Sequence, residues 1–108
     1  MNGELTFEDA KREALAYVRE TLLAESKNEP ALLESETVEK PWGWVFFWNT
    51  RLFTETGDLV HAVFGPDPVC VSRSDGRVTS VSGERPLQRE LRRYERKSGF
   101  RPWWRLWA

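Results

Sequence analysis

The ten residues from Lys40 to Asn49 read KPWGWVFFWN and hold three of the chain's six tryptophans. Side chains alternate between the two faces of a strand, so Trp44, Phe46 and Trp48 point to one side and Val45 and Phe47 to the other. Both sides are then apolar. Such a strand belongs in the middle of a sheet covered on both faces, or keeps one face for a partner. The run contains no nucleophile, acid–base pair or ligand cluster, and so directs attention to binding before chemistry.

The flanking sequence offers covers for both faces. Thr6 is placed to cap a helix, with Asp9 three residues on in an approximate capping box. Phe7, Ala10, Ala14, Leu15, Tyr17, Val18 and Leu22 then gather on one helical face, which predicts a helix from about Phe7 to Ala24. Pro86 is suited to the first position of a second helix, whose narrow apolar stripe is Leu87, Leu91 and Tyr94 and whose terminator is Gly99. Between the helices, Leu32 to Lys40 alternates loosely and reads as an edge strand, its Glu34, Glu36 and Glu39 guarding against unwanted pairing. The aromatic strand follows from Gly43 to Asn49. Pro68–Arg73 and Arg77–Val81 flank Ser74-Asp75-Gly76, a strong hairpin cue. The stretch 50–68 reads as a connection, with a turn at Glu55-Thr56-Gly57-Asp58 and a breaker at Gly65-Pro66-Asp67-Pro68. The expected fold is α+β: an N-terminal helix, a three- to four-stranded mostly antiparallel sheet and a C-terminal helix, in a single domain spanning 1–108.

Length and composition agree with this. A chain of 108 residues, 40% hydrophobic and 31% charged, can bury a modest core without staples. The lone cysteine, Cys70, excludes an intramolecular disulfide and fits a reducing cytoplasm. No apolar run approaches the ~18 residues of a membrane span, and the charged start MNGELTFEDAKREA lacks a signal-peptide core. The net charge of −1 hides an asymmetry: residues 1–84 carry 15 acidic and 8 basic side chains, residues 85–108 carry 2 and 8. Internal neutralisation of the basic end by the acidic remainder is the simpler expectation.

No constellation of residues supports catalysis or a cofactor. His61 is the only histidine and has no companion at metal-ligand spacing. A Cys70–His61 nucleophile pair lacks any supporting motif, and Cys70 sits in a strand pattern. Glu34 and Glu36 share one strand face, but no apolar surroundings would raise a pKa there, so they read as a solvated edge that could present negative potential to a basic partner. The sharpest competitor is the stripe Arg85, Arg89, Arg92, Arg93 and Arg96, followed by the tail Phe100–Ala108 with Trp103, Trp104 and Trp107. Charge for phosphates beside ring faces for bases is the kit of a single-stranded nucleic-acid binder, or of an interfacial membrane anchor. The plainer reading is a solvated helix face and a tail that packs back on the sheet as a lid.

In order along the chain, Trp42-Gly43-Trp44-Val45-Phe46-Phe47-Trp48-Asn49, Thr56-Gly57-Asp58, Gly65-Pro66, Pro68-Val69, Asp75-Gly76 and Tyr94-Glu95 resemble the immunity protein 35 group, also described as YrhB-like domains. The resemblance is strongest over 35–97, and the tail 99–108 has no counterpart in it. Gly65-Pro66-Asp67-Pro68 stands where the family pattern has G-N-G-P, and Ser72 or Arg73 where it has Asp before the hairpin turn. The resemblance implies a cytoplasmic bacterial protein, not an enzyme, that binds and neutralises a cognate toxin of a polymorphic toxin system without cofactor or metal. The alternatives are a YrhB-like small chaperone and a nucleic-acid-binding module. Expected partner contacts are Glu34, Glu36, Asp58 and whichever of Trp42, Trp44 and Trp48 prove exposed.

Overall fold

The computed structural model describes residues 4–99; the Trp-rich tail, expected as a lid, lies outside them. Helix α1 (Phe7–Tyr17) starts as its sequence requires. Thr6 Oγ1 accepts from the Asp9 amide at 3.1 Å, and the Asp9 carboxyl accepts from the Thr6 amide at 3.4 Å. Hydrogen bonding of the carboxyl to Thr6, through its hydroxyl first and then its amide, holds Asp9 below its ordinary value of 3.8. The helix continues through one wide π turn (Val18–Leu22), closed by the Leu23 amide on the Val18 carbonyl at 2.7 Å. It therefore ends two residues before the expected Ala24.

The strands are β1 (Pro30–Leu32), β2 (Val38–Lys40), β3 (Gly43–Phe46), β4 (Trp48–Thr50), β5 (Val69–Ser72) and β6 (Val78–Ser80). They form a four-stranded antiparallel sheet in the order β2-β3-β5-β6 and a two-stranded ribbon of β1 and β4. The aromatic run thus divides at Phe47 between two sheets. The expected edge strand divides opposite it, because β1 pairs with β4 and β2 with β3. From Leu32, opposite Trp48, to Val38, opposite Val45, five residues intervene on one side and only Phe46 and Phe47 on the other. The surplus is looped out as a 3-10 turn, Glu34–Glu36, held by the Glu36 amide on Leu33 and the Thr37 amide on Glu34. Glu34 and Glu36 consequently lie on a bulging turn, not on the flat edge expected from their alternation. Val38–Lys40 does form the edge of the four-stranded sheet.

Helix α2 (Arg51–Thr56) replaces the expected irregular connection. Thr50 caps its start by accepting from the Phe53 amide, and Gly57, at φ 73°, ends it in a left-handed conformation. The Asp-Gly hairpin forms as read, with Gly76 at φ 71° and the Ser72 amide bonded to the Arg77 carbonyl at 2.9 Å. Helix α3 (Leu87–Ser98) follows Pro86, which acts as its N-cap, one position earlier than expected.

Two cores result, one on each face of the sheet. Trp44, Phe46, Trp48, Val69 and Val71 pack under Ala10, Ala14 and Val18 of α1, whose small alanines allow close approach. Val45, Cys70 and Trp42 pack under Leu91 and Tyr94 of α3, with the Trp42 and Tyr94 rings 4.8 Å apart. The alternation read from the sequence survives the break at Phe47, because Trp48 remains on the α1 side.

Two tests follow from this packing. A Cβ at Gly43 would lie 2.0 Å from the Val71 carbonyl oxygen and 3.0 Å from the Arg73 amide, both immovable backbone. Gly43→Ala should cost about 3 kcal/mol in urea unfolding, by forcing β3 away from β5. The second concerns Cys70, whose thiol burial pushes up to about 12 from 9.0, helped by the charge of Glu95. Below pH 9 the thiol is neutral folded and unfolded, and its contribution is complete. As pH rises towards 12, only the unfolded chain releases the proton, so stability falls. Cys70→Ala should lack about 2 kcal/mol of the alkaline decline between about pH 8.5 and 10.5, measured as the change in unfolding free energy.

Candidate partner-binding surface

Past β4 the chain is built as an anchored loop carrying exposed apolar side chains. Asn49 and Thr50 are 7% and 0% exposed and supply the anchor. The Asn49 amide group clamps Val63 from both sides: Nδ2 donates to the Val63 carbonyl at 3.0 Å, and Oδ1 accepts from the Val63 amide at 2.8 Å. The same Oδ1 accepts from the Thr50 amide at 2.8 Å. Thr50 Oγ1 donates to the His61 carbonyl at 2.6 Å while accepting from Phe53. Asp58 shapes the centre, its Oδ1 accepting from the Val60 amide at 3.1 Å to start a 3-10 turn over Leu59–His61. Asp58 itself is exposed.

On this frame Leu59, Val60 and Phe64 are 62%, 77% and 76% exposed. Isolated exposed apolar residues are ordinary, but three within six residues, on backbone tied down by buried side chains, suit a contact surface. A loop held in this way needs no partner to order it, which would lower the entropic cost of an association. The sequence signal available for it was the apolar piece Leu59–Phe64 next to a Gly-Pro breaker; alternation alone could not tell an exposed loop from a short buried strand.

The other candidate residues are distributed differently. Glu34 is exposed and reaches across to Lys11 of α1 at 3.1 Å. That contact, with Glu8, raises the Lys11 pKa above 10.5. Glu36 is exposed beside it on the turn, while Glu39 pairs with Arg73 at 3.0 Å. Trp42, Trp44 and Trp48 are 9%, 5% and 3% exposed and lie in the two cores, so none of them meets the condition of exposure set for it as a contact. The indole N–H groups of two of them are used internally, Trp42 donating to Glu95 at 2.9 Å and Trp48 to the Asp67 carbonyl at 2.8 Å.

Along α3, Arg89, Arg92, Arg93 and Arg96 are exposed. Among the described residues none of these four pairs with the acidic N-terminal part of the chain; Arg93 approaches only Glu90 of its own helix, at 3.7 Å, and the last part of the basic end lies outside the described residues. The helix instead presents its cations to solvent. Cys70 and His61 lie in separate settings, a buried strand and a surface 3-10 turn, and no cluster of His, Cys, Asp or Glu able to hold a metal occurs among the described residues.

Comparison with known proteins places the chain in a family. The profile of the family described as Immunity protein 35 matches residues 12–97. The chain belongs to that family. It is also similar to an Escherichia coli (strain K12) protein named "Uncharacterized protein YrhB", 34% identical over 55 residues, a match that takes in 51% of this chain and 58% of that protein's length. No solved structure matches significantly. The family match extends from the second turn of α1 to the last turn of α3, and so includes the anchored loop and every buried core residue but Ala10.

Asn49→Ala tests the anchor. It leaves the Val63 N–H and C=O and the Thr50 N–H without their partner, so stability should fall by about 2 kcal/mol. Amide exchange at Val63 should accelerate while that of β5 changes only with global stability.

Proposed function

We infer that the chain neutralises a cognate toxin by binding it, as a cytoplasmic immunity protein of a bacterial polymorphic toxin system. The observation that carries this reading is the anchored loop: Leu59, Val60 and Phe64 are held outward by buried Asn49 and Thr50 within the region matched by the immunity family. Neutralisation then works by covering the toxin, and calls on no catalytic residue of this chain. A few apolar anchors supply most of the affinity of such an interface, and surrounding charges set approach and selectivity. Phe64 and Leu59 are the proposed anchors, with Asp58, Glu34 and Glu36 as exposed acidic groups that steer a basic toxin.

Co-production of the chain with a toxin encoded beside its gene should restore growth of a susceptible host. Phe64→Ala should weaken the purified complex by about 2 kcal/mol, roughly thirtyfold in Kd. Glu34→Lys combined with Glu36→Lys should slow association and reduce its salt dependence, as expected for steering charges. If none of the neighbouring toxins is neutralised, the immunity reading fails.

A further inference from the structure

The opposite end of the sheet carries a second surface that the anchored loop does not use. A groove of about 450 Å³ runs between the α3 side of β6 and α3 itself. Its floor is Thr79 and Val81, and its wall is Glu90, Arg93, Tyr94 and Lys97. Three properties of this groove point to one kind of occupant.

First, β6 is the edge of the four-stranded sheet, and no strand lies on its outer side among the described residues. The Ser72 amide bonds to the Arg77 carbonyl, and the Val81 amide to the Pro68 carbonyl. By antiparallel alternation these bonds turn Arg77, Thr79 and Val81 towards β5, which leaves the N–H and C=O groups of Val78 and Ser80 directed outward. An edge of this kind is a template for another strand. The strand reads Val-Thr-Ser, with no charge, proline or bulge to blunt it, so its shortness is the one guard it carries.

Second, Glu90 is only 7% exposed, and its buried Oε2 has no hydrogen-bond partner among the described residues. Arg93 stands 3.7 Å away, beyond hydrogen-bond reach, with a side chain 51% exposed. A buried acceptor left without a donor is costly, so one kept in a native fold calls for an explanation. Third, Arg93 and Lys97 give the α3 wall a cationic rim once Glu90 is engaged elsewhere.

We propose that β6 and α3 form a docking groove for an extended segment of a partner polypeptide, which adds a fifth strand to the sheet. Its backbone pairs with Val78 and Ser80. Its side chains on the α3 side include a hydrogen-bond donor for Glu90 and an acidic group for Arg93 and Lys97. Main-chain pairing supplies affinity in this mode, and the alternate side chains supply selectivity. The partner is taken to be the toxin, so the proposal rests on the immunity reading for the identity of the segment, while the groove's capacity for a strand does not.

The test uses the full chain, immobilised and presented with a phage-displayed library of random nonapeptides. Selection should enrich peptides that combine Lys, Arg, Ser or Thr with Asp or Glu in alternating positions. A synthetic copy of an enriched peptide should slow amide exchange at Val78 and Ser80 at least tenfold. Glu90→Gln should weaken its binding about tenfold in fluorescence anisotropy, and Ser80→Pro, which removes an outward N–H, should abolish it, with circular dichroism confirming that both variants fold. No enrichment, exchange at Val78 and Ser80 unchanged by peptide, or equal binding by a folded Glu90→Gln variant each overturns the groove. A wild-type chain that binds the peptides yet neutralises no neighbouring toxin overturns the immunity reading alone. A Ser80→Pro variant that still neutralises its toxin with undiminished affinity overturns the groove's assignment to that toxin.

Discussion

The strand Gly43–Phe46 has no exposed residue, and the rest of the molecule is arranged to satisfy that condition. A sheet strand apolar on both sides needs a layer on each, and the two long helices are those layers. Helix α1 meets the Trp44–Phe46 side through alanines, which admit the large rings; α3 meets Val45 through Leu91 and Tyr94. The tryptophans around this strand also carry polar handles that must be accommodated. Trp42 ties the β2–β3 turn to Glu95 of α3, Trp48 ties β4 to the Asp67 carbonyl, and the Arg73 guanidinium lies 4.6 Å over the Trp44 ring. Burial and hydrogen bonding therefore act together in joining the layers.

The break at Phe47 gives this sandwich its functional asymmetry. Without it, β3 and β4 would be one long strand opposed by one long edge. With three surplus residues opposite the break, the acidic turn Glu34–Glu36 is pushed out from the sheet and β4 turns away into its own ribbon. Asn49 and Thr50, at the end of that ribbon, are buried and still have side-chain polar groups to satisfy. They do so on the backbone of the following loop, which is how a polar anchor inside the fold comes to hold apolar residues outside it.

Much of the framework was legible because it depends on local rules. The Thr6–Asp9 capping box, the helical stripe from Phe7 to Leu22, the Asp75-Gly76 hairpin and the Gly99 terminator each involve residues a few positions apart. Helix α2 was missed because six residues carry too little periodicity to register, although Thr50 and Gly57 mark its two ends. Alternation places the acidic residues at 34 and 36 in a strand, because it cannot reveal a surplus of three residues relative to a distant partner. The candidate surface was the least legible part. Trp42, Trp44 and Trp48 are conspicuous in the sequence yet buried, while Leu59, Val60 and Phe64 are less conspicuous and exposed.

The sequence by itself determined that the aromatic run forms a two-faced strand, that helices stand on either side of it in the chain, and that the family resemblance lies over the same residues. Period and spacing are local properties, and steric rules convert them directly into helix, strand and turn. Only the tertiary structure decided which apolar residues are core and which are surface, where the long strands break, and which strand forms the sheet edge beside Glu90. Those outcomes depend on pairing register and on competition for a limited interior, and both are settled by residues far apart in the chain.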